Sequence, residues 1–180
     1  MTEAFGKNTF YYITAIILFI LLKIIYIYAD TRDIIILLKP VDTLIQFTTN
    51  ASSTFIPEKG YYFSKVEILI DKSCSGFNFM LLCFLMLFFS ALKYFNRHFW
   101  KIMLLILTFV GSFFLTILVN TSRIIVSIKV HAMMEYFPMI VGKNILHQSI
   151  GIIIYLTFLI LFYNLFNKLL KKNYPNEKLT

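Results

Sequence analysis

Long apolar runs are the feature that most constrains how this chain can fold. Residues 9–28, 75–92, 99–119 and 145–167 are almost free of charged side chains. About 20 apolar residues in a helix cross the hydrocarbon core of a bilayer. The composition agrees, because 59% of the 180 residues are hydrophobic and 14% are charged, whereas soluble domains carry about 25% charged residues. The sequence therefore predicts an all-α membrane protein, a four-transmembrane-helix bundle that forms a single integral membrane domain.

The segment that precedes the second predicted span contains two shorter patterns. Residues 34–48 begin with an apolar run that is interrupted too soon to span a bilayer. We interpret them as an interfacial or re-entrant segment that leads into a short amphipathic helix. Apolar and charged side chains largely alternate from Lys65 to Asp71, which predicts a short strand. This strand could form a hairpin with Tyr61–Phe63 and would lead the chain to residue 74.

The basic residues between the spans predict the orientation of the chain. The side with both termini carries eight Lys and Arg residues against two Glu, whereas residues 29–74 and 120–144 together carry eight bases against seven acids. We therefore expect cytoplasmic termini, with residues 29–74 and 120–144 extracytoplasmic. Because the bases lie in loops between apolar spans, the net charge of +8 favours membrane lipid as a partner and does not indicate nucleic acid.

Cys74 opens the second predicted span and is the first candidate for chemistry. Cys83, by contrast, lies among Leu and Phe in mid-span and is typical of a small buried hydrophobe. A helix N-terminus favours the thiolate, the reactive form of cysteine. Gly76 allows another backbone or a substrate to approach closely. The pattern predicts that Cys74 is a nucleophile supported by Ser75 and Gly76.

Arg123 closes the third predicted span and is the second candidate. An arginine at a membrane boundary is often only an interfacial anchor. Asn120, however, lies three residues before Arg123, so on a helix the two share a face. An inward-pointing arginine at this depth is typical of a functional site. A guanidinium can stabilise the oxyanion of acyl transfer or hold a substrate carboxylate, so we predict that Arg123 is catalytic and Asn120 supporting.

A histidine is the third expected member of such a site. His98 lies on the predicted cytoplasmic side and is excluded, whereas His131 lies in a predicted outer amphipathic piece and stays an alternative. We favour His147, which begins the fourth span with Gly151 four residues later on the same helical face, where glycine allows close helix packing. A cysteine nucleophile, a histidine acid/base and an arginine electrophile suit thiol acyl transfer. We expect neither a metal nor a cofactor, since no ligand cluster or phosphate loop is evident.

Three motifs in this sequence resemble those of the exosortase/archaeosortase family. They are Cys74-Ser75-Gly76, Asn120-x-x-Arg123 and His147-x-x-x-Gly151. Their order and predicted membrane side agree with that family, and the short chain is most similar to the compact exosortase K type.

The resemblance implies a bacterial inner-membrane cysteine transpeptidase or protease, active at the extracytoplasmic face. Such enzymes cleave C-terminal sorting signals of exported proteins. By the same resemblance Cys74 forms a thioester, His147 protonates the leaving amine and Arg123 stabilises the oxyanion.

A non-enzymatic function is the main alternative. The chain could be a small membrane subunit or assembly factor of an envelope export system, with purely structural roles for Cys74 and Arg123. A transporter is disfavoured, because the last three predicted spans have no charged residue near their centres.

Overall fold

Helices make up most of the computed structural model, which describes residues 2–66, 68–134 and 143–174, with side chains for 8–66, 68–130 and 148–174. The helices are α1 (Thr2–Tyr28), α2 (Ile35–Thr49), α3 (Phe77–Leu92), α4 (His98–Met134) and α5 (Lys143–Asn173). The strands are β1 (Thr54–Ile56), β2 (Gly60–Phe63) and β3 (Ile68–Ile70), and a 3₁₀ turn covers Lys72–Cys74.

Four helical segments are long and apolar enough to cross a membrane. They are Asn8–Tyr28, Lys72–Leu92, His98–Val130 and Gln148–Asn173. Each predicted span therefore coincides with a helix of suitable length and composition.

The third predicted span ends too early. It was placed at 99–119 with a separate amphipathic piece after it, whereas α4 continues without a break to Met134. The polar residues that suggested an end are compatible with a helix. Ser122 donates its hydroxyl to the carbonyl of Leu118 at 2.9 Å, and Asn120 and Arg123 are buried.

The amphipathic helix expected within residues 34–48 is α2. Leu38, Val41 and Ile45 are at most 1% exposed, and their spacing of three and four residues gives the helix one buried face. Asn50 follows in the left-handed conformation with φ of 50°, a common way for a helix to end.

The predicted hairpin is confirmed as part of a three-stranded antiparallel sheet with the order β1-β2-β3. Tyr61 pairs with Ile70 and Phe63 with Ile68. The last strand is shorter than the predicted Lys65–Asp71, because the chain is still turning before β3 begins. Strand β1 was missed, since its three residues show no long alternating pattern.

The chain divides into two compact units. Unit 1 comprises residues 1–28, 78–114 and 159–180, and its core is rich in aromatic rings. Phe84 stacks on Phe88 with a centroid separation of 6.0 Å, and Phe109 meets Phe84 edge-on at 5.6 Å.

Unit 2 comprises residues 29–77 and 115–158. It contains α2, the sheet, the 3₁₀ turn, the later part of α4 and the earlier part of α5. All the predicted site residues belong to unit 2.

Gly60 provides a test of the sheet. Its φ of +118° is rarely adopted by other residues, and an added Cβ would lie 2.1 Å from the carbonyl oxygen of Ile70. Backbone strain of this kind costs about 1–3 kcal/mol. We therefore expect Gly60→Ala to lower the free energy of unfolding in detergent, followed by denaturant titration, by about 1 kcal/mol or more. Lys59→Ala, exposed in the same turn, is the control, and equal stability of the two variants would contradict the assigned pairing.

Candidate active site

Cys74 lies at the end of the 3₁₀ turn between β3 and α3. The Asp71 carboxylate caps this turn, accepting hydrogen bonds from the Cys74 backbone N–H at 3.2 Å and from the Ser73 hydroxyl at 2.6 Å. The Lys72 ammonium donates to the carbonyl of Ala29 at 2.6 Å. Side chains on both sides of the cysteine therefore fix the path of its backbone.

The predicted second span starts at residue 75, directly after Cys74, and the structure starts the helix two residues later. Helix α3 begins at Phe77, and Cys74 precedes it as the last residue of the 3₁₀ turn. Ser75 lies closer to the helix start, and its hydroxyl oxygen accepts from the Phe77 N–H at 3.3 Å. Asp71 follows β3 and caps the 3₁₀ turn, so this turn separates β3 from α3.

The two cysteine side chains have different surroundings. Cys74 is 8% exposed and Cys83 is 0% exposed, and both are free thiols. The Cys74 sulfur lies 3.9 Å from the Ser73 hydroxyl. Cys83 is the buried mid-helix residue that the sequence predicts.

Gly76 lets the 3₁₀ turn Lys72–Cys74, which we call the cysteine turn, pack directly on α4. Its φ is +72°, and an added Cβ would lie 2.9 Å from Thr116 Cγ2 and 3.2 Å from Asn120 Cβ. The groups that approach this glycine closely are therefore the side chains of Thr116 and Asn120 on α4.

Asn120 joins α4 to the cysteine turn. Its side chain is 0% exposed, and its amide Nδ2 donates to the backbone carbonyl of Cys74. Its Oδ1 accepts from the Tyr155 hydroxyl at 2.7 Å. Asn120 thus satisfies two buried polar groups that would otherwise be costly to bury.

Arg123 lies one turn after Asn120 on the same buried face of α4, as the spacing predicts. Its Nη1 donates to the Tyr155 hydroxyl at 3.1 Å, and its Cζ lies 5.2 Å from the centre of the Tyr155 ring, within cation–π range. Gly151 leaves space for this guanidinium, since an added Cβ would lie 2.6 Å from Arg123 Nε. The group that packs closely at Gly151, as predicted for this glycine, is therefore the side chain of Arg123.

Tyr155 is the member of the site that the sequence analysis missed. It lies in an apolar run, where a tyrosine is ordinary. One signal could have found it, since it follows Gly151 by four residues and therefore lies on the same face of α5.

The three histidines are in different situations. The side chains of His131 and His147 lie outside the described ones, and the backbone of His147 belongs to α5. His147 precedes Gly151 and Tyr155 at intervals of four residues along this helix. Its catalytic role stays a prediction, as does the alternative of His131. His98, excluded by the predicted topology, is in unit 1 and is hydrogen-bonded to the Tyr11 hydroxyl.

Hydrogen bonds through Tyr155 and Asn120 link the Arg123 guanidinium to the backbone carbonyl of Cys74. A thiol can attack an acyl carbon, and a buried guanidinium can stabilise the oxyanion that results. Within the described ranges, no three His, Cys, Asp or Glu residues are grouped so that they could hold a metal ion. Comparisons of the chain with protein-family models, with curated proteins and with solved structures give no match.

Gly151 tests whether Arg123 is held as described. An added Cβ would overlap the guanidinium, and overpacking of this kind costs about 1–3 kcal/mol. We expect Gly151→Ala to be less stable in detergent than Gly111→Ala by about that amount. Gly111 is also helical and has nothing within 4 Å of an added Cβ, so the control corrects for the helix propensity of alanine. A Gly151→Ala protein as stable as the control would contradict the contact.

Proposed function

We propose that this chain is a membrane-embedded cysteine transpeptidase or protease, similar to exosortases, that cleaves C-terminal sorting signals of exported proteins. The observation that carries the proposal is the arginine held beside the cysteine turn. Arg123 is 9% exposed, its guanidinium donates to Tyr155, and Tyr155 is hydrogen-bonded to Asn120, whose amide holds the Cys74 carbonyl. A preorganised cation near a thiol favours the anions of acyl transfer.

The reaction starts with attack of the Cys74 sulfur on a substrate backbone carbonyl. The thiol proton passes to His147, the predicted acid/base, and Arg123 stabilises the oxyanion of the tetrahedral intermediate. Collapse of this intermediate breaks the C–N bond, and His147 donates the proton to the leaving amine. An amine or water then attacks the thioester, which releases the product and restores the thiol.

Length and composition support a location in a membrane, and the resemblance to exosortases implies the bacterial inner membrane. Four helical segments are long and apolar enough to span it. The excess of Lys and Arg near the termini supports cytoplasmic ends, which puts the cysteine turn at the extracytoplasmic face. Exported substrates would reach the site from that side, and their sorting signals consist of a short motif, a membrane helix and basic residues.

One observation favours the non-enzymatic alternative. The hydrogen bond from Asn120 reaches the backbone carbonyl of Cys74, so part of the network would hold the turn even without chemistry. A small subunit or assembly factor of an export system could use such a tether. The two functions differ in whether the sulfur atom itself is needed.

Substitution of the sulfur decides between them. The chain is co-expressed with exported proteins that end in a motif, one span and basic residues, and their processing is followed by immunoblotting. We expect Cys74→Ala to abolish processing, while Cys83→Ala leaves it intact. Arg123→Lys keeps the charge but loses the guanidinium fork, and we expect the rate to fall by about 10²–10³-fold, as for removal of an oxyanion-hole donor. Normal processing by well-expressed Cys74→Ala protein would refute the enzymatic function.

Single cysteines report the orientation independently of activity. In a background without Cys74 and Cys83, we introduce Lys59→Cys or Lys93→Cys at two exposed positions. A membrane-impermeant maleimide added to intact cells, with the outer membrane made permeable, should label Lys59→Cys. Lys93→Cys should react only after the inner membrane is opened. The reverse pattern would contradict an extracytoplasmic cysteine turn.

A further inference from the structure

The hydrogen bonds around Tyr155 have a direction that follows from donor chemistry. A guanidinium can only donate, so the Tyr155 oxygen must accept from Arg123. The single phenolic proton is then left for Asn120 Oδ1, which lies 2.7 Å away. Because the Asn120 oxygen is used in this way, its amide nitrogen faces the carbonyl of Cys74.

We propose that Tyr155 is a positioning residue of the proposed acyl-transfer site, which holds Arg123 and, through Asn120, the backbone of Cys74 in their reactive geometry. The inference rests on the proposed function and adds a residue that none of the three sequence motifs contains. The Tyr155 hydroxyl links α5 directly to Arg123 and, through Asn120, to the cysteine turn. The three bonds form one relay, Arg123 to Tyr155 to Asn120 to the Cys74 carbonyl.

Burial makes the relay effective. Asn120 is 0% exposed and Arg123 is 9% exposed, and hydrogen bonds are electrostatically stronger in such a low-dielectric environment than in water. The charge of Arg123 polarises the Tyr155 hydroxyl, which strengthens its bond to Asn120. The Arg123 guanidinium also lies over the face of the Tyr155 ring, within cation–π range. Removal of the hydroxyl alone would take away its hydrogen bonds to Arg123 and Asn120 while keeping the ring.

The reactivity of the Cys74 thiol measures this coupling without a substrate. In a Cys83→Ala background, alkylation of Cys74 by iodoacetamide is followed by mass spectrometry across pH in detergent-solubilised protein. Asp71 caps the same turn, and Arg123 follows Asn120 on α4, so the pH profile of the thiol should respond to a change in the position of Arg123.

We expect Tyr155→Phe to slow alkylation at neutral pH about threefold or more, the fold-change equivalent to one lost hydrogen bond. Its pH midpoint should rise, because a guanidinium that is held less firmly near the cysteine turn favours the thiolate less. Tyr163→Phe, on the exposed side of the same helix, should keep the wild-type rate and midpoint. An unchanged pH profile in Tyr155→Phe would overturn the positioning role.

A second substitution covers the case in which Tyr155→Phe does not fold. Replacement of Tyr155 by 3-fluorotyrosine keeps the ring and the hydroxyl but makes the hydroxyl a stronger donor and a weaker acceptor. The relay predicts an altered alkylation profile for 3-fluorotyrosine at position 155 and none at position 163. Equal profiles at the two positions would overturn it. Alkylation needs no processing reaction, so failure of this inference and failure of the proposed function give different results.

Discussion

The buried hydrogen bonds that link Arg123, Tyr155, Asn120 and the Cys74 carbonyl are the interaction on which the architecture of unit 2 depends. Asn120 is fully buried, Arg123 is 9% exposed and Tyr155 is half-buried, and a buried polar group left without a partner costs about 1–3 kcal/mol. The relay satisfies these groups together and ties α4, α5 and the cysteine turn to one another. Loss of one member would remove hydrogen bonds from its neighbours, so the site and the local fold are stabilised by the same contacts.

Two glycines make this network geometrically possible. Gly76 lets the cysteine turn approach Thr116 and Asn120, and Gly151 leaves room for the guanidinium. In each case a single added carbon would fall within 3.0 Å of an α4 side chain. The network therefore depends on the absence of a side chain at Gly76 and Gly151 as much as on the polar groups themselves.

Local spacing explains what could be predicted from the sequence. The apolar runs locate the long helices, and the interval between Asn120 and Arg123 places both on the buried face of α4. Gly151 was singled out as a close-packing position, and its neighbour proves to be Arg123.

Features that depend on tertiary contacts were missed. Helix α4 continues past Asn120 and Arg123 because their side chains find partners within the fold. Tyr155 could not be distinguished from other aromatic residues of an apolar run, since its role comes from two residues on another helix. The acid/base role of His147 stays a prediction from its sequence position.

The central claim is that Cys74 carries the acyl group during the processing of an exported protein. The most direct measurement is peptide mass spectrometry of the protein after acid quenching during processing. We expect an adduct on the peptide that contains Cys74, equal in mass to the substrate fragment upstream of the cleaved bond and released by hydroxylamine, as a thioester is. Processing that continues while Cys74 stays unmodified, or an adduct on another residue, would contradict it.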